Sequence, residues 1–342
     1  TSSRSAPRPR NSIPTSKQPW ISSRLAPTPT PARNRLGPVA HTLAGHPEMK
    51  TLLTLTATLI GLSCSRNIEA SAPGPAGVKS GLPSRPVPLD ASDPAAVRQV
   101  FNRQLKVFGI RVLATRRTPD PKLQHAAAIL AGYLDNDRDG RADNPRVVAA
   151  MVRQKATVVM FATEREAESL ERRLPDRWRD SHEAVALFAE ETHPGGAARR
   201  RFDASYEEIF HLITHAGYAA AYPAVFGMRP GSQLANAMDR ARGGRFLRVP
   251  RRYPARAWYT YDDRSCDYGC QTQEYIYWGM TSLLGAQSAE WRFREIRQEW
   301  RLNTPKKLRN GDKPLCQLLT DPRYRFPKRL PDGKYHVAIR SR

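Results

Sequence analysis

From about Asp90 onward the apolar residues fall into two rhythms. Three short runs are apolar almost throughout and rich in β-branched residues: 107–114 (VFGIRVLA), 157–162 (TVVMFA) and 184–189 (AVALFA). Short runs of this kind, bounded by polar sequence, read as strands covered on both faces. Between and after them the apolar positions recur at three- and four-residue spacing, which predicts helices. Asp93-Pro94 opens one through about Lys106, 123–134 reads as a second, and Asn144-Pro145 caps and opens a third through about Gln154. Beyond Phe202 the pattern is mostly helical, over about 204–217, 230–241, 270–285, 288–301 and 313–320. Strands first and helices later make the expected class α+β, a small sheet of three or more strands followed by a mostly helical half. The expected globular domain spans about 90–335.

The sequence before it has a different character. Residues 1–48 hold nine Pro and twelve Ser/Thr with no hydrophobic period, too little apolar surface to offset chain entropy, so disorder is expected there. Met49 and Lys50 then lead into an apolar stretch, 52–62, that ends Gly61-Leu62-Ser63-Cys64. A positive start, a short apolar stretch and a small residue before the cut are the parts of a secretory signal peptide, here 49–63. The stretch is too short to span a bilayer. Met49 thus reads as the start of translation and 1–48 as an upstream extension. Leu62-Ser63-Cys64 resembles a bacterial lipobox, with Gly61 where an aliphatic residue is usual; the resemblance implies a lipid-anchored Cys64 and an extracytoplasmic protein, either a cell-envelope lipoprotein or secreted. Residues 64–89, rich in Pro, Gly and Ser, read as a linker.

Charge alters this picture little. Lys plus Arg number 55 against 32 Asp plus Glu, for a net +23. An excess of that size first points to nucleic acid, but 44 of the 55 are Arg, a bias that coding-DNA composition alone produces. From 64 to 342 the balance is 47 against 31. On an exported chain this favours an anionic envelope or polysaccharide setting over nucleic acid.

The acidic minority carries the candidate chemistry. In Asp135-Asn136-Asp137-Arg138-Asp139-Gly140-Arg141-Ala142-Asp143, carboxylates at loop positions 1, 3 and 5 can converge when Gly at position 6 turns the chain. Position 7, Arg141, would offer its backbone carbonyl and Asp143 a further oxygen. This D-x-D-x-D-G pattern resembles the calcium loops of EF-hands, dockerins and thrombospondin type 3 repeats, and the resemblance implies Ca2+ on Asp135, Asp137, Asp139, Arg141 and Asp143. Position 12, the bidentate Glu of an EF-hand, is Arg146 here, so a ligand is missing from the pattern. The alternative reading is an Asx-rich turn that binds nothing.

The second candidate is Ser205-Tyr206-Glu207-Glu208-Ile209-Phe210-His211-Leu212-Ile213-Thr214-His215. At about 100° per residue, with Glu207 at zero, His211 falls near 40°, His215 near 80° and Glu208 near 100°, one quarter of a helix surface. His at i and i+4 is a zinc-gripping spacing. A helix of this kind after a small sheet is similar to the zincin metallopeptidases, although Leu212 stands where their catalytic Glu follows the first His. The resemblance implies Zn2+ on His211 and His215, with Glu274 as third ligand or His193 as the alternative, and Glu208 as general base. The combined pattern over 107–302 also resembles an uncharacterised secreted family, which implies no activity.

Residues 243–278 interleave Arg245, Arg248, Arg251, Arg252 and Arg256 with Phe246, Tyr253, Trp258, Tyr259 and Tyr261. The preferred reading is a loop whose aromatics fold back on the core; a carbohydrate or anionic-polymer groove is the other. Cys266 and Cys270 fit a short disulfide in an oxidising compartment, leaving Cys316 free and buried, and pairing of Cys316 with one of the two is the alternative. The expected function is an exported calcium-binding protein with a zincin-like metal helix, a zinc-dependent hydrolase of peptidase type acting on peptides. The alternative is a non-catalytic, calcium-dependent protein that binds the envelope, carbohydrate or an anionic polysaccharide.

Overall fold

The structure, a computed structural model, describes residues 85–337; the expectations for 1–48, the export signal at 49–63 and the lipid site at Cys64 lie outside the described residues. Four strands form one sheet in chain order: β1 (Arg103–Val107), β2 (Ile110–Ala114), β3 (Thr157–Phe161) and β4 (Ala184–Phe188). β1 runs antiparallel to β2, whereas β3 and β4 continue parallel to β2. The run 107–114 is therefore not one strand. Phe108 (φ 49°) and Gly109 (φ 85°) take the two left-handed positions of a tight hairpin turn between β1 and β2. The helix expected through Lys106 ends earlier, at Val100, because 103–107 alternates polar and apolar residues and pairs with β2, Leu105 facing Val112.

The helices in chain order are α1 (Ala95–Val100), α2 (Asp120–Leu134), α3 (Pro145–Arg153), α4 (Glu164–Leu170), α5 (Asp176–Ser181), α6 (Ser205–Leu212), α7 (Pro223–Phe226), α8 (Gln233–Ala241), α9 (Tyr268–Leu283), α10 (Glu290–Ile296), α11 (Pro305–Gly311) and α12 (Lys313–Thr320). A small sheet followed by a mostly helical half makes the chain α+β. Every residue of β3 and β4 is buried, and period-two alternation divides them between two cores. Val159, Phe161, Ala186 and Phe188 pack with Val97 and Phe101 near α1, Ala167 of α4 and Trp178 of α5. Val158, Met160, Val185 and Leu187 face the larger core, shared with α2 and α6.

Two local features position the chemistry. Asn144 caps α3 by accepting from the Val147 N–H, with Pro145 in the first turn, so the carboxylate loop sits between two helix ends. After Leu212, α6 widens into a π-helix, Ile213–Ala219, stacked against α3. A Cβ on Gly217 would lie 2.6 Å from Val147 Cγ1 and 3.2 Å from Met151 Cγ. The segment expected as one helix over 288–301 ends at Ile296, and Trp300 then bridges to Tyr259. Among the described residues no helix is long and apolar enough to cross a membrane.

Gly217→Ala tests the packing of the π-helix on α3. Alanine gains about 1 kcal/mol of helix propensity over glycine, but the steric conflict should cost about 1–3 kcal/mol. A fall in melting temperature is expected; a rise would show that the two segments are not closely packed.

Candidate metal centres

The back of α6 is fixed to the sheet by Ile209 and its neighbours Phe210, Leu212 and Ile213, all buried in the larger core. Glu207, Glu208 and His211 are thereby turned toward α9. Their ligand atoms lie within 4.8 Å of one another, as spacings of three and four residues on one helix allow. α9 supplies Glu274, whose Oε2 stands 3.6 Å from His211 Nε2, while Glu208 Oε2 is 3.9 Å from Nδ1. His211 is only 6% exposed, and its Nε2 has no hydrogen-bond partner among the described residues. A separation of 3.6 Å is too long for a hydrogen bond. It matches the roughly 3.4 Å between two ligands held at 2.0–2.2 Å by one tetrahedral cation.

Of the expected zinc ligands, the structure brings Glu274 to His211 and does not bring His215. His215 Nε2 is 3.4 Å from Glu183 Oε2 and its Nδ1 3.5 Å from Met228 Sδ. His215 lies in the π-helical segment Ile213–Ala219 that follows α6, and Glu183 and Met228 engage it there. His193 is remote as well, its backbone N–H donating to Asp203. The H-x-x-x-H grip is thus replaced by Glu-x-x-His on α6 facing one Glu of α9, a donor set that helix cores use for metals.

Burial dominates the electrostatics of this pocket. It pushes Glu274 well above the usual carboxylate range, reinforced by the charges of Glu207, Glu208 and Glu299. Glu207 is also raised by burial, with Arg292 and the Tyr277 hydroxyl pulling back. Glu299 rises to about 7 through burial and the charges of Asp262 and Glu207. His211 falls to about 3, first through burial and then through His215. A neutral imidazole among crowded carboxyls can donate a lone pair to a cation. Sequence reasoning missed Glu299 because it lies beyond the end of α10 and reaches the cluster only through the turn to Trp300.

The carboxylate loop has a different construction. Asp135, Asp137 and Asp143 place ligand oxygens within 4.8 Å of one another, whereas Asp139 lies outside that group. Asp135, fully buried, accepts from the Asp139 N–H at 3.1 Å, the Gly140 N–H at 2.8 Å and the Tyr335 hydroxyl. Asp143 accepts from the Asn136 N–H at 2.7 Å. Asp139 accepts from the Arg141 N–H at 2.9 Å. Burial raises both Asp135 and Asp143, the latter also through Asp137, Asp135 and Asp139. Arg146, at loop position 12, lies over the Tyr222 ring at 4.7 Å. The residue that sequence reasoning missed is Tyr335, two hundred positions from Asp135, for which spacing gives no signal.

Cys266 and Cys270 form the expected disulfide, which ties the residue before the Asp267 cap to the first turn of α9, and Cys316 is free but half-buried rather than buried. In the Arg-rich segment the aromatics fold back: Tyr259 is fully buried against Tyr275 and Trp300, and Trp258 Nε1 donates to Asp312. No family model, curated protein or solved structure matches the chain.

The raised pKa of Glu299 sets a pH test. Its folded pKa of about 7 exceeds an unfolded value near 4.3, so the folded state holds the proton more tightly. Its stabilising contribution is complete below about pH 4.3 and lost as pH rises through 7. His211 has the opposite sign, its contribution being lost as pH falls from about 6.5 toward 3. In metal-free protein, Glu299→Gln should flatten the decline in melting temperature between pH 4.5 and 7.5. An unchanged slope would show that Glu299 is solvated.

Proposed function

We propose that the protein is an exported, calcium-stabilised metalloprotein whose buried centre is of hydrolase type. The observation that supports it is the buried, unpartnered His211 Nε2 facing Glu274 Oε2 at 3.6 Å, beside Glu207 and Glu208. Three carboxyls and an imidazole gathered out of water are costly unless protons or a cation neutralise them. His211, Glu274 and one glutamate of α6 would hold a divalent first-row cation, zinc being the expectation from sequence. When bound, such a cation supplies Lewis acidity for hydrolysis. Glu208, on the same helix turn as His211, is the group placed to accept and return a proton, and Tyr261 and Tyr277 donate toward Glu274 and Glu207.

The loop of Asp135, Asp137 and Asp143 is the proposed calcium site, with a structural role. The Cys266–Cys270 disulfide supports export, since such bonds persist in oxidising compartments. One observation favours the non-catalytic alternative: Leu212 occupies the position after His211 and is buried in the core, so the usual zincin base is absent.

Metal analysis of the purified protein should find about one equivalent of a first-row cation. It should be reduced in His211→Ala and Glu274→Gln and retained in His215→Ala, whereas folded wild type free of metal would overturn the reading. With metal bound, Glu208→Gln should lower any hydrolytic kcat by at least about 10²-fold. Millimolar calcium should raise the melting temperature, and Asp137→Ala should abolish the rise. A wild type indifferent to calcium would remove that site from the proposal.

A further inference from the structure

Beside the buried centre lies a cleft of about 380 Å³ between 249–264 and 298–301. Arg251, Arg252, Arg264 and Arg301 stand at its rim, all exposed. None of the four forms an ion pair among the described residues; the Arg301 guanidinium donates to the Ala255 carbonyl, at 3.1 Å. Elsewhere in the same segment an arginine is neutralised, as Arg245 is by Asp239 at 2.8 Å. Four guanidiniums that form no ion pair among the described residues, set around one concavity, form a site for anionic groups, which they recognise in bidentate fashion.

The rest of the lining narrows the ligand. Asp262 and Glu299 also face the cleft, and carboxyls there would repel a ligand that is anionic along its whole length. They would, however, accept hydrogen bonds from hydroxyls. Tyr253 and Tyr261, both half-buried, add flat aromatic surface with a polar tip. Carboxylate charge at intervals, hydroxyl donors between and apolar ring faces together describe a sugar acid. We propose that this cleft binds an acidic saccharide, its carboxylates on the rim arginines, its hydroxyls on Asp262 and Glu299 and its ring faces on the tyrosines. The proposal rests on the cleft and not on the metal centre.

The test is calorimetric titration of the full chain with three probes: trigalacturonate, neutral galactotriose of the same length, and tripolyphosphate as an anion without sugar. Trigalacturonate should bind, with galactotriose at least about tenfold weaker. Arg252→Gln combined with Arg264→Gln, both exposed and so neutral to folding, should weaken trigalacturonate by about tenfold or more. His211→Ala should bind it like the wild type, so failure of the metal reading leaves this result standing. Absence of trigalacturonate binding, equal binding of galactotriose, or tripolyphosphate binding as tight as trigalacturonate would overturn the proposal.

Discussion

Carboxylates withdrawn from water must be protonated, paired or bound to a cation, and the space between α6 and α9 gathers four of them around one histidine. Glu207 and Glu208 come from one helix turn, Glu274 from the facing helix and Glu299 from the turn after α10. Against them stands one buried guanidinium, Arg292, stacked over Phe202 at 3.9 Å and hydrogen-bonded to Gln287. One positive charge cannot offset four negative ones, so the cluster holds extra protons or a metal. The surroundings follow from that need. Tyr277 and Tyr261 turn hydroxyls toward Glu207 and Glu274, and the sheet fixes the back of α6 so that its acidic face is turned toward α9.

The same accounting governs the other end of the domain, with a different answer. There the loop carboxylates are satisfied largely by backbone N–H groups and by the segment 325–337. Asn136 is the fastener: its amide donates to the Gly132 and Arg329 carbonyls, and its carbonyl accepts from the Lys328 and Arg329 N–H groups. Arg138 pairs with Asp332, Arg325 donates to the Asp143 carbonyl, and Tyr335 closes on Asp135. Gly140, at φ 84°, lies so close to Val337 that a Cβ would sit 3.1 Å from Cγ1. A cation in this loop would therefore stiffen the docking of a distant segment rather than open a reactive position.

Sequence reasoning located what depends on local pattern. β3 and β4 stand where their unbroken apolar runs fall, α3 begins at the Asn144-Pro145 cap, and the acidic loop lies between α2 and α3. It failed where geometry depends on one backbone choice or on distant chain. Phe108 and Gly109 split an apparent strand because both take positive φ, which hydrophobicity does not encode. Helical angles at about 100° per residue put His215 on the face of His211, but they carry no information about Glu183 and Met228, the residues from distant chain that engage it. Glu274 was legible as an acid on a later helix, while Glu299 and Tyr335 reach their sites through tertiary folding alone.

The engagement of His215 elsewhere changes the donor set of the buried cluster. With His215 drawn to Glu183 and Met228, the remaining donors are one imidazole and up to three carboxylates, a harder set than the two-histidine pair the spacing implied. Carboxylate oxygen favours manganese and similar cations, whereas added imidazole shifts preference toward zinc, copper and nickel. Gly217 links this outcome to packing: because its missing Cβ admits Val147 and Met151 of α3, the wide turn is held against a rigid neighbour. α3 thus leads out of the acidic loop at its N-terminal end and packs on the π-helix through Val147 and Met151. Through it the carboxylate loop and the buried cluster are parts of one packed unit.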